Sequence, residues 1–172
     1  MESTSQNFKM ANYSFSLEDE MDEDFALVAI HCSEEEYKLA YLLNLNLDLK
    51  LKRRKVDLDF TFKGIVVPFP IYDFEDTFSH NSFFLVKNKI RKEELMVAQA
   101  GGLFSLEVSN KSTIHYLLPE FKKVDYLLKI YSDLNREQLK DFVSKIYNIK
   151  QVISAYTIEI SDVKSKNNLI FD

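Results

Sequence analysis

Apolar and polar positions follow a strand-helix-strand order in the first part of the chain. The continuous apolar run at residues 25–31 predicts a central β-strand that is covered on both faces. Ser33 and Glu36 then have the spacing of a capping box, which predicts a helix over residues 34–46. Leucines alternate with polar residues at the end of this helix, so a second strand is expected to begin near Asp48.

The last third of the chain repeats this order. Alternating apolar positions at residues 124–130 predict a strand, and a helix with one apolar face is expected to start at Asn135. Residues 151–160 alternate again and predict another strand. Two such units indicate an α+β fold, a two-layer sandwich in which two helices cover one face of an antiparallel or mixed sheet. The expected centre of this fold is a ferredoxin-like split βαβ core.

The segment between the two units, residues 56–118, is expected to insert β-hairpins into this core. Residues 65–74 and 82–90 are rich in β-forming side chains. Pro68 and Pro70 lie two residues apart and lack amide hydrogens on the same side of a strand. They therefore predict an edge strand or a broken strand.

The second half of the inserted segment has weaker signals. Residues 92–100 are expected to form a short helix, and Gly101 and Gly102 end it with a turn. The apolar runs on either side of residues 109–112 predict a hairpin whose turn is formed by those four residues.

The length and composition are those of one soluble globular domain. The chain has 172 residues, of which 46% are hydrophobic and 28% are charged. Residues 1–16 are polar without a clear period and predict a loosely ordered tail, so the folded domain is expected to span residues 17–172. Apolar runs are far shorter than the roughly 20 residues that span a bilayer. Because Cys32 is the one cysteine and the N-terminus lacks an apolar signal core, we expect a cytoplasmic protein.

The net charge of −5 is unevenly distributed along the chain. Residues 1–48 carry 11 acids and 2 bases, a balance of −9, and residues 49–172 carry 16 acids and 20 bases, a balance of +4. The acidic run at residues 18–24 is either a solvated lead-in to the first strand or a docking segment. An isoelectric point near 5.3 argues against binding to nucleic acid. Four consecutive bases form either a solvated turn or a contact for an anionic partner: Lys52, Arg53, Arg54 and Lys55.

Sequence patterns of catalysis and cofactor binding are missing. Three glycines are too few for a loop that wraps its backbone around phosphate groups. A single cysteine excludes multi-thiolate metal sites, and His31, His80 and His115 lack the spacing of metal ligands. Adjacent residues on a strand point to opposite faces, so His31 is not expected to activate Cys32 as a nucleophile. We therefore expect no enzyme activity, no cofactor and no metal.

One segment resembles a known family. Residues 118–126 read Leu-Pro-Glu-Phe-Lys-Lys-Val-Asp-Tyr, which is similar to the signature of the IPExxxVDY family of small bacterial proteins. Residues 37–44 and 164–171 are also similar to members of this family. The function of the family is not established, so the resemblance implies no activity. The matching positions, with leucine in place of the first isoleucine, are Leu118, Pro119, Glu120, Val124, Asp125 and Tyr126.

The physical chemistry of this segment allows two interpretations. Pro119 fixes its own φ and pushes Leu118 into an extended conformation, which ends the preceding strand. In a structural interpretation, Glu120 or Asp125 caps backbone amides at the turn. In a functional interpretation, Glu120, Asp125 and Tyr126 form a binding surface.

The favoured function is that of a non-catalytic protein that binds another protein, as an interaction or regulatory module. The uneven charge, the polar N-terminus and the 14 Phe and 9 Tyr residues support this hypothesis. The alternative is a domain that senses a small molecule held between the sheet and its inserted hairpins. An RNA-associated protein has less support, because the glycine-aromatic signature of RNA-recognition strands is missing. The identity of the partner and the oligomeric state stay open.

Overall fold

The computed structural model describes residues 25–99 and 106–171. The N-terminal tail, the acidic run at 18–24 and the glycine pair at 101–102 lie outside the described residues. The described chain contains ten strands and two α-helices, in the order β1 (Phe25–Cys32), α1 (Glu36–Leu47), β2 (Lys52–Arg53), β3 (Leu58–Phe62), β4 (Ile65–Phe69), β5 (Ile71–Asp76), β6 (Asn81–Lys87), β7 (Lys89–Gln99), β8 (Leu106–Tyr116), β9 (Tyr126–Tyr131), α2 (Arg136–Tyr147) and β10 (Val152–Ile158).

Six of these strands form one sheet in the order β10-β1-β9-β6-β5-β2. Every neighbouring pair in it is antiparallel. β3 pairs with β4 and β7 pairs with β8, which makes two further antiparallel sheets of two strands each. Two helices and mostly antiparallel sheets confirm the α+β class.

The six-stranded sheet is covered on both faces. On one face, α1 and α2 pack against alternate residues of β1, such as Val28 and Ile30. On the other face, Leu27 and Ala29 of β1 contact a second apolar cluster, which includes Phe69 of β4. The prediction of a central strand covered on both faces is therefore confirmed for β1. The helices account for one face, and the β3-β4 hairpin together with residues 160–171 covers the other.

The two helices begin differently. α2 has the predicted start. The Asn135 side chain accepts hydrogen bonds from the amides of Glu137 and Gln138, and the Asn135 amide donates one to the Gln138 side-chain oxygen. For α1 the predicted capping box is wrong. The helix begins at Glu36, and its N-cap residue makes no capping bond through its side chain. Neither helix of the described chain, at 12 residues each, is long and apolar enough to cross a membrane.

Two predictions for the inserted segment are also wrong. Residues 92–99 lie in β7 rather than in a helix, and residues 109–112 lie inside β8 rather than in a turn. The two strands pair in register from Lys89 opposite Tyr116 to Gln99 opposite Leu106. Glu, Leu, Met and Ala are good helix formers, but pairing along eleven residues outweighs that intrinsic preference.

Pro70 separates two strands, and Pro68 lies inside the first of them. The predicted strand at residues 65–74 divides at Pro70, so β4 joins the small hairpin and β5 joins the six-stranded sheet. Near residue 48 the predicted strand is shorter than expected. Leu49 and Leu51 are buried outside regular structure. The four consecutive bases at residues 52–55, which we call the basic run, do not form a turn, because Lys52 and Arg53 form β2 and pair with β5.

A buried lysine attaches the C-terminal segment to the sheet. Lys129 of β9 is only 3% exposed, and its ammonium group donates a hydrogen bond to the Leu169 carbonyl at 2.8 Å. The same group lies 4.3 Å from the ring centre of Phe25, 4.4 Å from that of Tyr131 and 5.4 Å from that of Phe171. Cation–π attraction and the hydrogen bond together stabilise the charge in this place.

Candidate protein-interaction site

The segment that resembles the IPExxxVDY signature connects β8 to β9. Leu118 is extended, with φ −114° and ψ 96°, and Pro119 opens a 3-10 turn over Pro119–Phe121, as the proline position predicts. Leu118 and Val124 are buried in the cluster on the hairpin side of the sheet. These two residues therefore anchor the segment in the core.

A buried asparagine organises this connection. Asn88 lies between β6 and β7 and is fully buried. Its side-chain oxygen accepts a hydrogen bond from the Leu118 amide at 2.8 Å, and its side-chain nitrogen donates to the carbonyls of Phe121 at 2.9 Å and Val124 at 3.1 Å. Its backbone bonds to Leu117 and Asp125 as well. One side chain thus satisfies backbone groups along the whole segment.

Glu120 holds the C-terminal segment. Its carboxylate accepts hydrogen bonds from the amides of Lys164 at 2.7 Å and Ser165 at 2.8 Å, and from the Ser165 hydroxyl at 3.1 Å. Partial burial of the carboxyl group opposes ionisation, but these hydrogen bonds outweigh it and hold the pKa of Glu120 below its ordinary value. Glu120 therefore caps amides, although they belong to a distant segment instead of its own turn.

Asp125 joins β9 to β1. One carboxylate oxygen accepts a hydrogen bond from the Cys32 amide at 3.1 Å and lies 3.9 Å from Nδ1 of His31. The other oxygen pairs with the Lys89 ammonium at 2.5 Å. Tyr126 is only 1% exposed, so its ring cannot form part of a binding surface. For these residues the contacts favour the structural interpretation over the functional one.

Tyr126 and its neighbour across the sheet fix the start of α1. The Tyr126 hydroxyl donates a hydrogen bond to the Glu34 carbonyl, just before the helix, and burial raises the pKa of this phenol. Lys87, paired with Tyr126 in the register of β6 and β9, binds the carboxylates of Glu35 and Glu36 at 3.2 Å each. The segment 118–126 therefore sets the position of α1.

Three large apolar side chains of α1 face away from the sheet. Leu39, Ala40 and Leu43 are buried against the sheet. On the outer side, Tyr37 is 65% exposed, Tyr41 63% and Leu45 67%. These three residues are four positions apart, so they form one row along the helix. We refer to Tyr37, Tyr41 and Leu45 as the α1 row.

α2 does not carry a similar row. Most of its large apolar side chains pack against the sheet cluster, including Leu139, Phe142, Val143 and Ile146. Tyr147, at 57% exposed, is the one large apolar side chain of this helix among the strongly exposed residues of the described chain. Of the two helices, α1 therefore carries the larger exposed apolar surface.

The sequence reasoning missed the α1 row, although a signal for it was present. Eight of the twelve residues of α1 are Leu, Tyr or Ala. A helix packed on one side needs apolar residues over little more than a third of its circumference. Apolar residues over a larger part of the circumference therefore indicate either more extensive burial or an exposed contact surface.

The predicted anion contact is partly used inside the molecule. Arg53 pairs with Asp57, and Arg54 pairs with Asp73 and donates a hydrogen bond to the Phe171 carbonyl at 2.9 Å. Lys55 is exposed. Lys50, Lys52 and Arg54 line a surface groove of about 390 Å³ together with the acids Asp73 and Glu75. Two acids offset two of these three positive charges, and Arg54 already pairs with Asp73, so the groove offers an anion little net positive charge.

The arrangement around Cys32 and His31 is that of a packed sheet. The Cys32 thiol lies on the helix side and donates a weak hydrogen bond to the Gln151 carbonyl at 3.3 Å, and desolvation raises its pKa. The His31 ring stacks on Tyr156 at 5.8 Å, away from the thiol. No group of three or more His, Cys, Asp and Glu side chains within the described ranges could hold a metal ion.

The space between the sheet and the β3-β4 hairpin is filled with apolar side chains. Phe60 and Phe69 meet edge to face at 5.6 Å, and Val67 and Phe69 are fully buried. A small molecule would have to displace this packing, so the space under the β3-β4 hairpin gives the sensor hypothesis no support.

Comparison with known proteins gives no relative. No protein-family model, curated protein or solved structure matches the chain. The resemblance to the IPExxxVDY family thus depends on the sequence alone.

Proposed function

We propose that this protein is a non-catalytic interaction module that binds another protein through the α1 row. The observation that carries this proposal is the exposure of Tyr37, Tyr41 and Leu45 on a helix whose other side is fully buried. Contiguous exposed apolar side chains are typical of interaction surfaces. Tyrosine is also enriched among the residues that dominate binding energy.

The spacing of the row indicates the kind of partner. Anchors four residues apart are those with which a helix binds an apolar groove. We therefore infer that the partner has a groove for the rings of Tyr37 and Tyr41 and the side chain of Leu45. Burial of one such side chain contributes roughly 1.5–3 kcal/mol before the costs of association are subtracted.

The contacts of the segment 118–126 support a positioning role in this function. Tyr126 and Lys87 hold the start of α1, and Asn88 and Asp125 hold the segment itself. A rigid support of this kind lowers the entropy that α1 loses on binding. We propose that the chain is a member of the IPExxxVDY family and that the residues of the signature provide this support.

The finer description of the fold is also a proposal. The order β10-β1-β9-β6 is that of a ferredoxin-like sheet if β6 is counted as the second strand. β6 and β1 are both antiparallel to β9, so they are parallel to each other, as that topology requires. The free thiol of Cys32 supports a cytoplasmic location.

Affinity capture with matched variants tests the proposed function. The full chain is used as bait in lysate of the source organism, together with Tyr41→Ser and with Tyr147→Ser as the control. Both substitutions remove an exposed helical tyrosine, one from the α1 row and one from α2. We expect a protein that is retained by the wild type and the Tyr147 variant and lost by the Tyr41 variant.

The captured protein is then purified and titrated against the three baits. A loss of affinity of about tenfold or more for Tyr41→Ser corresponds to burial of this ring in the complex. Equal binding by all three baits, or capture of nothing above background by a folded wild type, would contradict the proposal. Circular dichroism of each bait shows whether the variants are folded.

A further inference from the structure

The two edges of the six-stranded sheet differ in how they are protected. β2 is two residues long and consists of an exposed lysine and an exposed arginine. Short length and positive charge both discourage strand addition at an edge. β10, at the other edge, is seven residues long and contains neither a charged residue nor proline. Within the described residues β10 has one strand neighbour, β1.

We propose that β10 pairs with β10 of a second copy of this chain, in an antiparallel arrangement around a two-fold axis. Such pairing joins the two sheets into one and uses the backbone groups of the free edge. It is independent of the α1 row, which lies on a helix on one face of the sheet and not at its edge.

The side chains of β10 suit pairing with a second copy of the same strand. Ile153 is 65% exposed and Tyr156 43%, so the edge has apolar side chains available for contact. In an antiparallel pair they meet only uncharged side chains, because the strand reads Val-Ile-Ser-Ala-Tyr-Thr-Ile. β-Branched and aromatic cross-strand pairs of this kind stabilise a sheet.

Charges at the two ends favour a second copy over an unrelated peptide. Lys150 precedes β10 and Glu159 follows it, and both are exposed. Antiparallel pairing brings the Lys150 end of one copy to the Glu159 end of the other, twice in each dimer. A parallel pair would place like charges together, so the charges select the antiparallel arrangement.

A bulge limits the regular part of this edge. The register between β1 and β10 shifts between His31 and Cys32, opposite Ser154 and Val152. From Ser154 to Ile158 the pairing is regular. We therefore place the two-fold axis within these five residues, and we expect a reversible dimer, since so short an edge buries less than a standard interface.

Sedimentation velocity of the full chain over a series of concentrations tests this proposal. We expect a monomer–dimer equilibrium that Thr157→Lys weakens at least about tenfold, because the dimer would then contain the new charge twice. The control is Thr61→Lys, which changes an exposed strand threonine of β3. It should leave the equilibrium unchanged.

Charge reversal tests the antiparallel direction. Lys150→Glu and Glu159→Lys should each weaken the dimer, and the double variant should restore it. Amide hydrogen exchange in residues 152–158 should slow as the protein concentration rises. A chain that stays monomeric, a dimer that Thr157→Lys leaves intact, or a dimer that appears only after removal of residues 1–24 would each overturn the proposal.

Discussion

The side-chain oxygen of Asn88 accepts a hydrogen bond from the Leu118 amide at 2.8 Å, and both residues are fully buried. This contact ties the turn between β6 and β7 to the segment that leads into β9. Through Tyr126, the same segment reaches Glu34 at the start of α1. A buried amide is thus connected to the helix that carries the proposed interaction surface.

Replacement of Asn88 should destabilise the protein strongly. Asn88→Ala leaves the Leu118 amide and the carbonyls of Phe121 and Val124 without their partner. Because these groups stay buried, we expect a loss of about 2–4 kcal/mol in the free energy of unfolding. Urea denaturation measures it. The control is Asn46→Ala on the exposed side of α1, which should change the value by less than about 0.5 kcal/mol.

Glu120 should make the C-terminal segment sensitive to acid. The pKa of this carboxyl group is lower in the folded chain than its ordinary value of 4.5. Its contribution to stability is therefore complete above the ordinary pKa and is lost as pH falls through the lower, folded value. We expect Glu120→Gln to be less stable than the wild type at neutral pH and the difference to shrink in acid.

Denaturation of both proteins from about pH 7 to about pH 3 measures this difference. Other carboxyl groups titrate equally in the two proteins, so the difference isolates Glu120. Glu75→Gln changes an exposed carboxylate of β5, away from these contacts, and serves as the control. A difference that stays constant over the whole pH range would mean that the charge of Glu120 does not hold Lys164 and Ser165.

Within the basic run, we expect Arg54 to contribute to the stability of the fold and Lys55 to contribute little. Arg54→Gln removes the ion pair with Asp73 and the hydrogen bond to Phe171, so we expect a loss of about 1.5–3 kcal/mol in the free energy of unfolding. Lys55→Gln should have an effect below about 0.5 kcal/mol, because Lys55 is exposed. Equal effects of the two substitutions would contradict a structural role for Arg54.

Some elements could be predicted from the sequence because their signals are local. A strand covered on both faces has no polar alternation, so the apolar run at residues 25–31 identified β1. The start of α2 was identified by Asn135 and Gln138, whose capping bonds span three residues. In both cases the residues that determine the structure are close together in the chain.

Other elements depend on contacts that the sequence does not reveal. β7 has the composition of a helix, and its strand conformation comes from pairing with β8. Asn88 looks like any polar residue near a strand end, because its partners lie about thirty residues further along. The amides that Glu120 caps are likewise far away in sequence, so capping could be predicted but not the segment that is capped.

Site-specific photocrosslinking at position 41 tests the central claim, that α1 binds another protein, most directly. A photoreactive phenylalanine analogue replaces Tyr41 in one version of the full chain and Tyr147 in the other, and both are irradiated in cells of the source organism. We predict a defined adduct with another protein from position 41 and none from position 147. The absence of an adduct at position 41, equal adducts at both positions, or an adduct only with a second copy of this chain would contradict the account.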